Sequence, residues 1–452
     1  MKKLLLSILL VISLSVNAQF WTEKATGFTA PDRGLYSISI VDANVVWALA
    51  SDSTIDPVDL TIKEFTTSTD GGNTWTPGTM DLGAATNELG TSSITATSST
   101  TAWVSVYPDT FGTKQVGGIW KTVDGGVIWT KQTTALFSSS ESYANFVHFW
   151  DANNGIAAGD PENGEFEIYT TTDGGTTWTR VPAANIPDLI IIDVNPDPLV
   201  TVLESEYGYE NLYEVSGNTI WFGTDLGRLF KSTDKGLTWT AHQSESVDFQ
   251  FDNFTFSDTN KGLLTIYGLP IKLYNTLDGG ETWNLVTTTG MSNTDIAYIP
   301  NTSTVVAGDW KNPKGSSYSL DDGENWIPID GVPHGTLKFL NSSFGFSGGF
   351  NTDATTGGIF KFTGIPLKAP SFDVKKQISA YPNPTNEILK LDSETSLIKE
   401  ASVFDLLGRQ VYNSKFNANK VTLDLKSLQT GTYVLKVTSD SGKSETMKIM
   451  KN

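Results

Sequence analysis

The sequence predicts an all-β protein, a seven-bladed β-propeller followed by a small immunoglobulin-like β-sandwich. Three observations carry this reading. The stretch "TSTDGGNTW" at 67–75 returns in five further variants. A second apolar–turn–apolar unit occurs seven times, alternating with those copies. Past residue 364 both patterns stop and a different set of alternating strands begins.

The first residues stand outside the fold. Met1-Lys2-Lys3 is a short basic start, Leu4 to Leu14 is almost wholly apolar, and Val16-Asn17-Ala18 leads into a cleavage site. This is the pattern of a signal peptide over 1–18, with the mature chain starting near Gln19. An uncleaved anchor fits less well, because the apolar run is short and the cut site well formed. No other run approaches the ~20 apolar residues of a membrane helix, so no transmembrane segment is expected in the mature chain. There is no cysteine, so stability must come from burial, for which 13 Trp and 23 Phe supply material.

Charge is unevenly spread. The chain carries −19 in all, whereas 371–452 holds twelve Lys and Arg against nine Asp and Glu. The segment 19–370 is left with about −24. Such a surface disfavours nucleic acid, which needs a basic footprint.

Each copy of the first pattern reads as a hairpin turn. The others are "KTVDGGVIW" (121–129), "TTTDGGTTW" (170–178), "KSTDKGLTW" (231–239), "NTLDGGETW" (275–283) and "YSLDDGENW" (318–326). The aspartate accepts amide hydrogen bonds of its own turn, and a glycine takes the positive φ. The tryptophan opens the outgoing strand and offers a large apolar face. The structural set is therefore Asp70 and Trp75, Asp124 and Trp129, Asp173 and Trp178, Asp234 and Trp239, Asp278 and Trp283, and Asp321 and Trp326. The aspartates lie 54, 49, 61, 44 and 43 residues apart, a range that suits four strands per blade.

The second unit appears at 41–50, 97–106, 150–159, 215–223, 257–266, 299–308 and 340–349, and reads as an inner hairpin. The seventh is followed by "GGIFKFTG" (357–364) without a turn of the first kind. "FWTEKATGF" (20–28) looks like the missing outer strand, with Trp21 in the tryptophan slot. Pairing 20–28 with 357–364 would close the propeller over 19–364 and remove its exposed edges.

Residues 365–377 hold two prolines and no period, and read as a linker. The strands over 378–452 suggest the sandwich. There Pro382 and Pro384 are expected to hold an extended entry strand, and Gly408 and Gly431 to supply turns.

Two resemblances follow from these residues. The recurrent turn resembles the Asp-box, or BNR repeat, of sialidases, xyloglucan-cleaving hydrolases, sortilin-type receptors and photosystem II assembly-factor-like propellers. Ile128 and Asn325 depart from its usual threonine. The tail resembles the C-terminal sorting domain of type IX secretion substrates, through Tyr381-Pro382-Asn383-Pro384, Asp405-Leu406-Leu407-Gly408-Arg409, and Leu428 with Gly431-Thr432-Tyr433-Val434. That likeness implies that 378–452 engages the type IX machinery. It also implies passage across both membranes, removal of the tail, and release or surface attachment. The alternative is an ordinary appended immunoglobulin-like module.

In a four-stranded antiparallel blade the A–B and C–D turns share one face, and the B–C loops and D–A connections the other. The recurrent turns are C–D turns, so a site is expected on the opposite face. Candidate ligand-binding residues there are Tyr107, Asp109, Asp160, Glu162, Asp225, Arg228, Asp309 and Trp310. The long connection 186–210, with its apolar "LIII", reads as an added strand or flap, or as a lid. The favoured function is a secreted or surface binding module for a glycan or protein ligand. The alternative is a glycoside hydrolase using paired carboxylates among Asp160, Asp225 and Asp309. A sialidase fits poorly, since the propeller holds only Arg33, Arg180 and Arg228. No cofactor or metal is indicated; calcium would suit mouth aspartates, but no loop has an EF-hand pattern. His148, His242 and His334 are isolated, and no nucleophile–histidine arrangement is visible.

Overall fold

The computed structural model describes residues 20–52, 62–83, 89–108, 117–137, 142–193, 203–244, 252–266, 270–291, 293, 295–309, 315–365, 378–393, 396–405, 408–440 and 444–452. The signal-peptide segment 1–18 lies outside them. The chain divides into two compact units, 1–366 and 367–452.

The first unit is a seven-bladed β-propeller. Blade 1 is built from Arg33–Ile40, Val46–Asp52, Glu64–Ser68 and Thr76–Thr79. Five more four-stranded sheets follow in chain order, with first strands Leu89–Ala96, Ala144–Phe149, Gly208–Ser216, Asn253–Phe256 and Asp295–Tyr298. Blade 7 joins Leu337–Asn341, Phe344–Asp353 and Thr356–Phe362 to the N-terminal strand Trp21–Ala25. That last pairing is antiparallel, with Trp21 opposite Phe362 and Ala25 opposite Gly358. First strands of successive blades touch around the ring, and that of blade 7 touches that of blade 1.

Burial is organised between blades. Seven apolar clusters each fill one seam, and a tryptophan sits in every one. Trp129, Trp178, Trp239, Trp283, Trp326 and Trp75 fill six of them, and Trp21 lies in the seam of blades 6 and 7. Inner-strand aromatics stack across seams, as Trp221 does on Phe256 at 3.9 Å and 6°. Offset aromatic pairs of this kind add about 1 kcal/mol beyond area burial.

The recurrent turns lock each blade's outer hairpin. Ser68 Oγ donates to Asp70 Oδ1 at 2.9 Å and accepts the Gly72 amide at 2.8 Å. Asp70 Oδ1 also accepts the amides of Asn73 and Thr74, both at 2.9 Å. The backbone and hydroxyl bonds of Thr74 are the main reason this exposed carboxyl lies far below its usual range. Gly72 has φ +77°, and a Cβ there would meet the Phe346 ring at 2.4 Å, so glycine is required twice over. The Gly71 amide bonds Asn44 O in the blade's first turn, and the Gly125, Gly174 and Gly279 amides do the same in theirs. The A–B and C–D turns therefore share one face.

The second unit is a β-sandwich. One sheet pairs Ile378–Tyr381, Ile388–Ser393 and Lys420–Asp424; the other runs Gln410–Ala418, Ile398–Phe404, Gly431–Ser439, Ser444–Lys451. Leu389, Leu391, Leu423, Leu435, Val437 and Ile449 meet in one core. Two sequence expectations are corrected here. The entry strand ends at Tyr381, and Pro382 and Pro384, both preceded by cis peptides, sit in bends after it. Asn383 between them bonds Lys448 O and the Met450 amide, which draws the segment onto the last strand. Gly431 opens a strand rather than a turn, and Tyr433 behind it is tied by its hydroxyl to Gln429 O at 2.8 Å. Gly408, at φ +79°, does turn the chain, with Arg409 clamped on Asp405 at 2.7 Å.

Candidate functional site

The propeller's inner strands enclose a cavity of about 420 Å³. Blades 1, 4, 5, 6 and 7 wall it, with Tyr36, Tyr209, Glu210, Asp252, Asp295 and Lys338 among the lining side chains. Asn253, Asp295 and Leu337 open their strands, so the cavity faces the D–A connections, away from the recurrent turns.

A bulge in blade 4 shapes this space. Gly208 pairs with Thr224 and Tyr213 with Phe222, so Tyr209, Glu210, Asn211 and Leu212 stand opposite Gly223 alone. Asn211, at φ +57°, reaches blade 1: Ser37 Oγ donates to its Oδ1 at 3.1 Å, and its Nδ2 donates to Tyr36 O at 3.2 Å. Tyr36 OH returns a bond to Glu210 O at 3.2 Å. On the far side Lys338 pairs with Glu214 at 3.1 Å. Both of these residues also line a second recess of about 100 Å³.

Carboxyl groups in and around the cavity are strained electrostatically. Burial pushes Asp295 up to about 7, with Asp252 and Asp309 adding to the shift and a 3.1 Å bond from Asn253 opposing it. Burial likewise raises Glu210. Asp160 is pushed up to about 7, first by burial and then by Glu210 and Asp225, although Asn145 Nδ2 at 2.8 Å and the Gly208 amide at 2.9 Å support its charge.

The structure separates the sequence-predicted residues. Asp160 and Glu162 lie in the strand Gly155–Glu162, because a tight Asn163-Gly164 turn replaces the longer loop expected there. Tyr107 is buried and stacks on Tyr143 at 5.3 Å, so it offers no free aromatic face. Arg228 is held by the fully buried Glu206, with its Nε 2.9 Å from Oε1, and by Asp188 O. It is therefore committed within blade 4. Asp225 accepts the Tyr207 amide at 2.9 Å and is raised by burial. Asp309 acts on Asp295 electrostatically. Asp109 and Trp310 lie outside the described residues. The 186–210 connection contains an added hairpin, Ile191–Asp193 against Leu203–Ser205. Among the described residues no three His, Asp or Glu side chains are grouped to hold a metal ion.

Sequence reasoning missed Glu210, Asp252 and Asp295: Glu210 and Asp295 belong to inner strands and Asp252 directly precedes one. It also missed a serine–histidine–aspartate arrangement. His334 Nδ1 is 3.0 Å from Ser347 Oγ and Nε2 is 3.0 Å from Asp330 Oδ2. Ser347 and His334 are fully buried, and the His334 ring stacks on Trp21 at 5.2 Å. The arrangement holds a seam rather than a substrate.

Comparison with known proteins now bears on both units. Residues 379–452 match the family model described as a secretion system C-terminal sorting domain. The tail is a type IX sorting domain. The protein is accordingly secreted or displayed at the outer cell surface. No helix among the described residues is long and apolar enough to cross a membrane. The propeller is similar to the solved structure "YCF48 bound to D1 peptide", at 15% identity and TM-score 0.52, covering 77% of this chain and 96% of that one. It is also similar to YCF48 from Cyanidioschyzon merolae, at 17% identity and TM-score 0.50, covering 76% and 98%. A GH74 enzyme from Niastella koreensis follows at 14% identity and TM-score 0.44, covering 91% and 65%. The two YCF48 likenesses establish the fold alone. No curated protein matches the sequence.

Proposed function

We propose that the propeller is an extracellular binding module that takes a glycan or protein ligand on the face opposite its recurrent turns. Its tail, 378–452, serves export through the type IX machinery. The observation that carries the reading is the inner-strand cavity, whose 420 Å³ lies in the size range of ligand sites, roughly 300–1,000 Å³. Its tyrosines and carboxylates converge from four blades, which is more organisation than a solvated surface needs. The YCF48 propeller's bound D1 peptide offers a fold-level parallel. The test is saturable binding of purified protein to a glycan and extracellular-protein array. Loss of that binding in Asp160→Ala or Asp295→Ala supports the reading; unchanged binding in both sinks it.

A second reading, glycoside hydrolysis, draws on one observation. Asp295 lines the cavity and is raised by burial to about 7, the range of a general acid at neutral pH. Turnover of oligosaccharides, abolished in Asp295→Asn, would favour it.

A further inference from the structure

We infer that the outer face of the four-stranded sheet in the sorting domain is the surface that the export machinery reads, and that its partner there is a protein presenting carboxylates around an apolar patch. This deepens the export reading of 378–452 and rests on it.

The assembly of the face argues first. Asn383 Nδ2 donates to Lys448 O at 2.9 Å, and the Met450 amide donates to Asn383 Oδ1 at 2.8 Å. Lys448 stands opposite Val434 across the ladder, and Val434 stands opposite Phe404. Phe404 leads into the turn in which Arg409 is clamped on Asp405. The three stretches that carry the tail's resemblance, 381–384, 405–409 and 431–434, are thus drawn into one band across the sheet. Leu406 and Leu407 lie outside the described residues.

The exposed side chains argue next. The core uses the side of this sheet that carries Val403, Leu435, Val437 and Ile449. The alternate residues face away from it, and an outer sheet face of this kind is ordinarily polar. Here Val434 and Met450 are 38% and 43% exposed, beside the half-buried Phe404.

Charge then states the partner's chemistry. Lys436 and Lys448 project from the same side, while Glu400 stands opposite Lys415. Residues 371–452 hold twelve cations against nine acids, whereas 19–370 carries about −24. An acidic receptor surface attracts the tail and repels the propeller, so one sign of charge separates signal from passenger. Contact with Val434 and Met450 adds apolar burial at the centre of the interface.

The experiment follows the full chain in a host with a type IX system, as the ratio of protein outside the cell to protein in the periplasm. Lys436→Glu with Lys448→Glu is expected to lower that ratio at least tenfold, and Lys436→Arg with Lys448→Arg to leave it within twofold. Lys390→Glu with Lys426→Glu makes the same change of charge on and beside the other sheet, and is expected to export normally. Equal export by the two Glu pairs, high or low, overturns the inference. Chymotrypsin resistance of the purified full chain shows that the tail of each variant is folded. Should the first pair fail there, Lys448→Glu alone takes its place, and its normal export overturns the inference equally. Binding of the unaltered chain to phosphatidylglycerol–phosphatidylethanolamine vesicles, lost in the Lys436→Glu and Lys448→Glu pair, would assign the face to a lipid surface and overturn the protein partner. Deletion of 378–452 separates the two levels. If deletion leaves export unchanged, the export reading itself falls; if deletion blocks export and the first Glu pair passes, only the face assignment fails.

Discussion

Trp21 Nε1 donates a 3.0 Å hydrogen bond to Ser316 Oγ across 295 residues of sequence. Ser316 Oγ in turn donates to Asp330 Oδ1 at 3.0 Å, and Asp330 holds His334, on which the Trp21 ring stacks. One buried residue thus joins the first strand of the propeller to its last two blades. Truncating it removes both a large apolar body and the partner of a buried polar chain. Trp21→Ala is expected to cost about 3–5 kcal/mol. All 13 tryptophans precede the sorting domain, so their fluorescence in a denaturant titration follows the propeller alone. A loss under about 1 kcal/mol would show that the closing strand contributes little.

Glu206 is fully buried and Arg228 is its cation. Removing one partner of a buried pair strands the other's charge, at a typical cost of about 3–5 kcal/mol. Arg228→Met should therefore lower the stability of the propeller, and the double change Arg228→Met with Glu206→Leu should recover most of it. If Arg228→Met instead left stability intact and reduced only ligand binding, the residue would be a contact and not a brace.

Asp160 gives stability a pH slope. Its folded carboxyl titrates at about 7, well above the unfolded value of about 4, so the folded state binds more protons between those limits. Its contribution falls as pH rises from about 4 to 7. Asp295 acts in the same window and the same direction. Asp160→Asn, which keeps an acceptor for the Gly208 amide, should flatten that slope and be the more stable protein above pH 7. Midpoints of urea unfolding at pH 4.5, 6 and 8 decide it; parallel curves for the two proteins would count against the assignment.

The recurrent turns give the opposite sign. Burial tends to raise Asp278, but the Thr282 hydroxyl and amide and the Thr276 hydroxyl outweigh it and hold the group down to about 2. This stabilisation is complete above about pH 4 and drains as pH falls towards 2. Asp278→Ala is expected to lose about 1–3 kcal/mol at pH 7 and progressively less in acid. At Asp124 the threonine donor is replaced by Ile128, so Asp124→Ala should cost less than Asp278→Ala. Comparing the two variants by denaturation at pH 7 tests whether that hydroxyl matters.

Much of the architecture was legible because it is written locally. An aspartate, a hydroxyl two residues before it, a glycine two after and a tryptophan five after form one turn, and that turn closes through bonds spanning at most four residues. Repetition of such a unit states the blade plan, and Trp21 standing alone before the first copy points to the closing strand. The tail was legible for the same reason, through the Asp405–Arg409 turn and alternating strands. What only the tertiary structure decided are relationships with no period: Asn211 on Tyr36, Lys338 on Glu214, and Ser347, His334 and Asp330 in one seam. Circular closure brings first strands from distant parts of the chain around one axis, so the carboxyls that meet there, Glu210, Asp252 and Asp295, lie tens of residues apart and look like ordinary strand residues in sequence. Burial raises Glu210 and Asp295, with Asp252 adding to the shift of Asp295, and that burial exists only once the ring has closed.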